Sequence, residues 1–327
     1  MRLLLLNILL ASVFALKAQQ LPQFRQFILA PSVYNPAAMA FNKQTSVSMS
    51  GRWQMSGFGY EPRTLVFYGQ TLLKKKKKEL FNPGSRIQHD FTPTQRKKIF
   101  VPQHFVGGQV ISDNYGAFSF LDIHANYAMN LPLGKRWKAS LGGRLGLRNN
   151  VFRPTQGVVL NPLDAQLPYA GGDATYDEFI GGNQRSLSLS GALGIGITDK
   201  KLIFSASMHH GGIPNTAKNQ LFWFDQRLHW NAMLGYNIKV MPGFDIQPAV
   251  MVKKMDPAPL SLEFSALATI NYIFWGGFNY HYGASAGIMA GMEVSGNLKI
   301  GYALDFSTNR LNRFVNGGHE IYLSYGF

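Results

Sequence analysis

The sequence predicts an all-β fold: a single transmembrane antiparallel β-barrel of about 14 strands, entered through a short irregular or helical N-terminal lead-in. Three observations predict it. The first is alternation. In Thr45–Trp53, Thr45, Val47, Met49, Gly51 and Trp53 share one face, while Ser46, Ser48, Ser50 and Arg52 share the other. A strand apolar on one side and hydroxyl-lined on the other suits a wall between lipid and a polar lumen. The second is repetition of this pattern along the chain, with connections of unequal length. The third is the last stretch, where Ile321, Leu323, Tyr325 and Phe327 alternate with Tyr322, Ser324 and Gly326. Such a strand can pair with the first and leave no open edge facing lipid, so these four apolar residues are the expected closure face.

The N-terminus reads as a secretory leader. Met1-Arg2 is a charged start, Leu3–Leu16 is almost wholly apolar, and Ala18 or Ala15 offers a small residue for cleavage. The expected division is a signal peptide over 1–18, a periplasmic lead-in over 19–43 and an outer-membrane barrel over 44–327. Cysteine is absent, which excludes a lipid-anchor thiol and a disulfide framework. Beyond the leader no apolar, uncharged run reaches the roughly 18 residues of a membrane-crossing helix. A mean hydropathy near zero fits strands that are apolar on one face only. Composition by itself would also allow a large soluble domain.

Each element follows in turn. Within Leu21–Ala40, Asn35-Pro36-Ala37-Ala38 carries an N-cap followed by proline at the first helical position, which predicts a short helical turn. Pro31 and Pro36 would interrupt a ladder, so this lead-in is expected to pack against, or plug, the periplasmic mouth. After Thr45–Trp53 the predicted strands are Arg63–Leu73, His104–Ile111, Phe118–Met129, Trp137–Arg148, Ser186–Ile197 and Leu202–His209. Then come Arg227–Lys239, Phe244–Val252, Leu260–Thr269, Tyr272–His281, Ala286–Val294, Leu298–Phe306 and the closing strand. Short turns at Leu131–Gly134, Thr198–Lys200, Met241–Gly243 and Ser295–Asn297 alternate with longer loops at Asn149–Arg185, Gly211–Gln226 and Ser307–Gly318. That asymmetry is expected of short periplasmic turns and longer outer loops. Trp53, Trp137, Trp230 and Trp275 stand near strand ends, where interfacial girdles place aromatics.

One connection breaks the rhythm. Residues 73–103 hold Lys74, Lys75, Lys76, Lys77, Lys78, Arg86, Arg96, Lys97 and Lys98 against Glu79 and Asp90, a surplus of seven within a chain whose net charge is +15. Two readings stand: a solvated insertion, or a docking patch for an acidic partner or anionic headgroups. Nucleic acid is no natural partner of an exported barrel.

Motifs suggestive of catalysis dissolve on inspection. Gly283-Ala284-Ser285-Ala286-Gly287 matches G-x-S-x-G, but it joins two alternating strands rather than a strand to a helix. His209-His210 has no third ligand at a metal-site spacing. Gly194-x-Gly196 opens no helix and so makes no phosphate loop. The expectation is a non-enzymatic protein with no catalytic residue, cofactor or metal.

Several stretches resemble the PorP/SprF family of outer-membrane proteins from type IX secretion and gliding systems. Pro22-Gln23-Phe24-Arg25-Gln26-Phe27 with Asn35-Pro36-Ala37 is similar to that family's Gln-Tyr and Asn-Pro-Ala opening. Arg52, Gln54, Gly57, Pro62 and Thr64 match its next block, with Met55 where the family usually has tryptophan. Leu298-Lys299-Ile300-Gly301-Tyr302 with Asp305, followed by Gly318-His319-Glu320-Ile321, resembles its final two strands. The resemblance implies an accessory subunit that receives exported cargo bearing a C-terminal secretion domain and contacts periplasmic components of the machinery. The expected partner-binding residues are Gln23, Gln26, Asn35 and Pro36 in the lead-in, within the stretch that carries the resemblance, and Lys74–Lys78, Lys97 and Lys98 in the insertion, which rest on charge alone because the insertion is not a feature of that family. A porin or hydrophobic-solute channel would show the same strands, and a lipid hydrolase would need Ser285 beside a histidine.

Overall fold

The computed structural model describes residues 23–56, 61–73, 101–154, 177, 181, 184–214, 227–313 and 315–327. The wall begins with β1 (Ser46–Trp53), β2 (Arg63–Leu73), β3 (Gln103–Tyr115), β4 (Phe118–Leu133) and β5 (Trp137–Phe152). It continues with β6 (Gln184–Thr198), β7 (Leu202–Pro214), β8 (Leu228–Tyr236), β9 (Ile238–Met241) and β10 (Phe244–Met255). The remainder is β11 (Ser261–Ile270), β12 (Phe274–His281), β13 (Ser285–Glu293), β14 (Leu298–Ser307) and β15 (Gly318–Gly326). Neighbours in sequence pair antiparallel, and β15 pairs with β1 to close the sheet. Both β8 and β9 pair with β10, over different parts of its length, so they form one stave broken at Asn237. The barrel therefore has 14 staves. Where the sequence predicts one strand over Arg227–Lys239, the Asn237 amide instead donates to the Lys201 carbonyl (2.7 Å) and interrupts the ladder.

Residue placement is that of a protein whose solvent is hydrocarbon. On β6, Leu187, Leu189, Leu193, Ile195 and Ile197 face outward, while Ser186, Ser188 and Ser190 are buried inside. On β4, Leu121, Ile123 and Tyr127 point out, and Asp122, His124, Asn126 and Asn130 point in. On β1, Val47 is exposed and Ser48, Ser50 and Arg52 are buried, as the alternation predicts.

The wall is uneven. β4 and β5 have 16 residues each, whereas β1 and β12 have 8. The ladder of β4 runs past the predicted end at Met129 to Leu133, because Pro132 sits one pair from the turn, opposite Lys138. The turns at 134–136, 199–201, 242–243, 271–273 and 294–297 lie at one end, together with the start of β1 and the end of β15. The connections at 153–183, 215–227 and 308–317 lie at the other. These are called the turn end and the loop end below.

Closure rests on a continuous register: Val47 faces Tyr325, Met49 faces Leu323 and Gly51 faces Ile321. At the tip, the Phe327 amide donates to the Thr45 carbonyl (2.8 Å) and the Gly326 amide to the Asn297 carbonyl (2.9 Å). Truncation before Tyr325 should strip partners from Ser46, Val47 and Asn297 and leave an edge in lipid. The expected outcome is loss of heat-modifiable barrel on gel electrophoresis. Tyr325→Asp with Phe327→Asp should act in the same direction. Its direct cost lies below the ~2–4 kcal/mol of a midplane cation, so failed assembly should dominate.

Candidate functional site

The lumen is the candidate site, and the lead-in fills it. Residues 23–45 carry two short helical pieces, α1 (Pro31–Tyr34) and a 3-10 turn (Pro36–Ala40). Phe24 and Phe27 are no more than 1% exposed. With Val33 and Tyr34 they pack on inward residues of several staves, among them Val66, Ile111 and Met251. A barrel of this girth encloses more space than its own inward side chains fill, and the lead-in supplies the missing apolar core.

Near the loop end the lead-in is held by charge. The Glu320 carboxylate, fully buried, accepts the backbone N–H groups of Arg25 (2.5 Å) and Gln26 (3.0 Å). Asp305 Oδ2 accepts from Arg25 Nη2 (2.9 Å) and from Arg52 Nη2 (3.1 Å). Arg25 also donates to Ser285 Oγ, and Arg52 Nη1 donates to the Gln23 carbonyl (2.5 Å). Two guanidiniums and two carboxylates thus cancel in charge within a buried space. Lys253 and Glu263 form a further buried pair (2.7 Å), with Lys253 Nζ 4.8 Å from the centroid of the Tyr34 ring. Desolvating such groups offsets much of their attraction, so the network contributes position more than net stability.

Toward the turn end the lead-in crosses to the opposite wall and is held by shape. Asn35 caps the 3-10 turn, its Oδ1 accepting from the Ala37 amide (2.8 Å). Its Nδ2 donates to the carbonyls of Ile195 (2.9 Å) on β6 and Ala206 (3.0 Å) on β7. Gly142 on β5 and Gly194 on β6 are register partners. A Cβ on Gly142 would overlap the Pro36–Ala37 backbone, and one on Gly194 would overlap the Asn35 amide. The two glycines make a seat that no larger residue permits. Arg144 completes it from β5, donating to the carbonyls of Ser32 (2.7 Å) and Val33 (3.0 Å) and to Asn126 Oδ1 (2.7 Å). The backbone of α1, which reaches no strand ladder, is satisfied by wall side chains.

The lead-in thus plugs the lumen and does not stop at the turn-end mouth. Strand parity places only its last residues, those joining β1, at the turn end. The earlier ones fold back along the lumen, because Glu320, Asp305 and Arg52 await them near the loop end. Gln26 (1% exposed) and Asn35 (2%) are accordingly buried against the wall, as is Pro36, and the Gln23 carbonyl is bonded to Arg52. The surface they were expected to offer an outside partner is turned onto the barrel itself. Lys74, Lys75, Lys76, Lys77, Lys78, Lys97 and Lys98 lie outside the described residues, as do the leader and most of the loop over Asn149–Arg185. Ile321, Tyr325 and Phe327 face outward at 41%, 43% and 74% exposure, with half-buried Leu323 on the same face. Ser285 bonds Arg25, while His281 Nε2 lies 2.9 Å from Ser261 Oγ, so this serine and histidine are engaged elsewhere than with each other. Among the described residues no group of three ligating side chains suits a metal.

Sequence reading alone did not single out Arg25, Asp305, Glu320, Gly142 or Gly194 as a holding device. A signal existed for part of it. Arg52, Asp305 and Glu320 are charged residues at inward positions on adjacent staves, and Arg52 and Glu320 prove to be direct register partners. They also sit in the stretches on which the family resemblance rests.

Comparison with known proteins agrees with this picture. The model of the family described as type IX secretion system membrane protein PorP/SprF matches residues 16–325. No curated protein matches significantly. Among solved structures, the toluene transporter TodX of Pseudomonas putida superposes with a TM-score of 0.50 at 9% identity, covering 91% of this chain and 93% of TodX. A FadL homologue of Pseudomonas aeruginosa gives a TM-score of 0.46 at 10% identity, with 90% and 92% covered. At such identities the likeness to TodX shows the fold alone: an outer-membrane barrel.

Two substitutions test the holding contacts separately. Asp305→Ala leaves Arg25 and Arg52 buried without their shared carboxylate and should cost roughly 3–5 kcal/mol, read as a lowered urea midpoint in detergent micelles. Gly194→Val should leave the barrel heat-modifiable but displace Asn35, read as increased conductance in planar bilayers.

Proposed function

Because the chain belongs to the PorP/SprF family of type IX secretion membrane proteins, we propose that it is a non-enzymatic accessory subunit of that apparatus. In this reading it stands in outer-membrane lipid as a closed platform, after removal of the leader over 1–18 on export. Its loop end holds exported cargo carrying a C-terminal secretion domain, and its turn end meets periplasmic components of the machinery. The observation that carries the proposal is the filled lumen. A lead-in with phenylalanines at 0–1% exposure, fixed by Glu320 and Asp305, suits a rigid scaffold better than a conduit. Loops on a rigid scaffold commonly do the recognising, and the longest outer connection, 153–183, springs from the tall wall of β5 and β6. Lys74–Lys78, Lys97 and Lys98 fall in the connection between β2 and β3, where such a run of cations would favour an acidic partner.

The rival is a channel for a small hydrophobic solute, since one of the solved barrels that this chain resembles is a toluene transporter. Passage would require the lead-in to leave its seat. Deletion of the gene distinguishes the two. On the secretion reading some type IX cargo stays unsecreted, and shortening the loop over Asn149–Arg185 loses cargo while sparing barrel assembly. A null strain that secretes every such cargo and instead loses uptake of a small solute would establish the channel. Replacing Lys74–Lys78 with serine should reduce co-purification of periplasmic components at low salt. The effect should fade as the Debye length contracts toward about 8 Å at physiological ionic strength.

A further inference from the structure

A second feature of the lumen is not used by the lead-in. Above α1, in the loop-end half of the tall wall, a small cavity is bounded by Tyr34 below and by staves β3 to β8 around it. Its polar lining is mostly basic. Arg148 pairs bidentately with Asp122, through Nε (2.8 Å) and Nη2 (2.5 Å). Arg144 bonds an amide oxygen and two carbonyls, and among the described residues it meets no carboxylate within ion-pair distance. The groups lining the cavity therefore carry two guanidiniums against one carboxylate, before any imidazole is counted. Four imidazoles line it as well: His124 on β4, His209 on β7 and His229 on β8, each no more than 9% exposed, and the exposed His210 on β7. His209 is engaged with the Tyr34 carbonyl. His124 is not fully engaged: its Nε2 meets Ser190 Oγ (2.8 Å), while its Nδ1 is buried with no partner.

A buried cation without a counter-charge and a buried ring nitrogen without a partner are both unfavourable. Water can satisfy the nitrogen but cannot neutralise the charge. A metal cation suits neither the surplus charge nor the ligand set. An anion with several acceptor oxygens answers the surplus charge, and guanidinium beside imidazole is the donor chemistry that recognises it. We propose that this cavity binds one oxyanion group, a phosphate or a carboxylate of a small solute, among the lining groups Arg144, Arg148, His124 and His229. The ligand would enter from the loop end, since Asp122, Arg148 and His229 lie near the loop-end tips of β4, β5 and β8. The inference is independent of the secretion reading, because it uses only the lining residues.

Calorimetric titration of the purified full-length barrel in detergent tests it, with sodium phosphate in one arm and sodium acetate in the other, at ionic strength matched with sodium chloride. Saturable heat with at least one anion is expected, and the arm that saturates identifies the headgroup. His124→Ala with His229→Ala removes two donors that no contact ties to the lead-in. Affinity should fall about tenfold or more, the scale of losing a charge-assisted hydrogen bond, with heat-modifiability unchanged. Asp122→Asn with Arg148→Gln keeps the charge balanced and should also abolish saturation. Absence of saturable binding with either anion, or equal affinity in wild type and both variants, overturns the proposal.

Discussion

Hydrocarbon cannot hydrogen-bond a peptide group, and the rest of this structure follows from that constraint. Every strand must find two neighbours, so the sheet must close, and β15 must meet β1. Closure at 14 staves sets a girth, and that girth encloses a lumen too wide for its own side chains to fill. Something must occupy it. Here the occupant is the chain's own N-terminal segment, so a requirement of the membrane has become a requirement on the residues before the barrel begins.

The occupant is fixed by two kinds of contact that differ in what they specify. The charged set around Glu320 and Asp305 is neutral as a whole and buried, so it resists partial disruption while contributing little net stability. It determines where Arg25 and Gln26 lie. The glycine seat acts through excluded volume: Gly142 admits the Pro36–Ala37 backbone and Gly194 the Asn35 side chain, and a Cβ at either would overlap them. One device sits on β13 to β1 and the other on β5 to β7, so the lead-in spans the lumen and is tethered to opposite walls. A segment so tethered couples distant staves of the barrel.

That coupling also divides the lumen unequally. Where the lead-in meets the lock and the seat, packing is close. Beside Tyr34, under the tall wall, it leaves a basic cavity whose ring nitrogen at His124 is unsatisfied. The same arginine, Arg144, serves both regions, holding α1 by its carbonyls while adding positive charge to the cavity.

Alternation with a period of two is local, and wherever lipid lies on one side and a polar lumen on the other it is enforced residue by residue. The strands, their faces and the closing role of Ile321–Phe327 were legible for that reason. The Asn35-Pro36 turn was legible too, because a cap and an N1 proline are local chemistry. The course of the lead-in was not. Its decisive contact joins Arg25 to Glu320, 295 residues apart, and depends on register and stagger around the whole sheet. The glycines at 142 and 194 looked like ordinary strand glycines, since nothing near them in sequence says what will lie against them. Only the closed barrel brings β5, β6 and the N-terminus to one place. Local alternation thus implied a wall and the facing of its side chains. What the wall encloses is settled by long-range pairings, of which that local pattern carries no record.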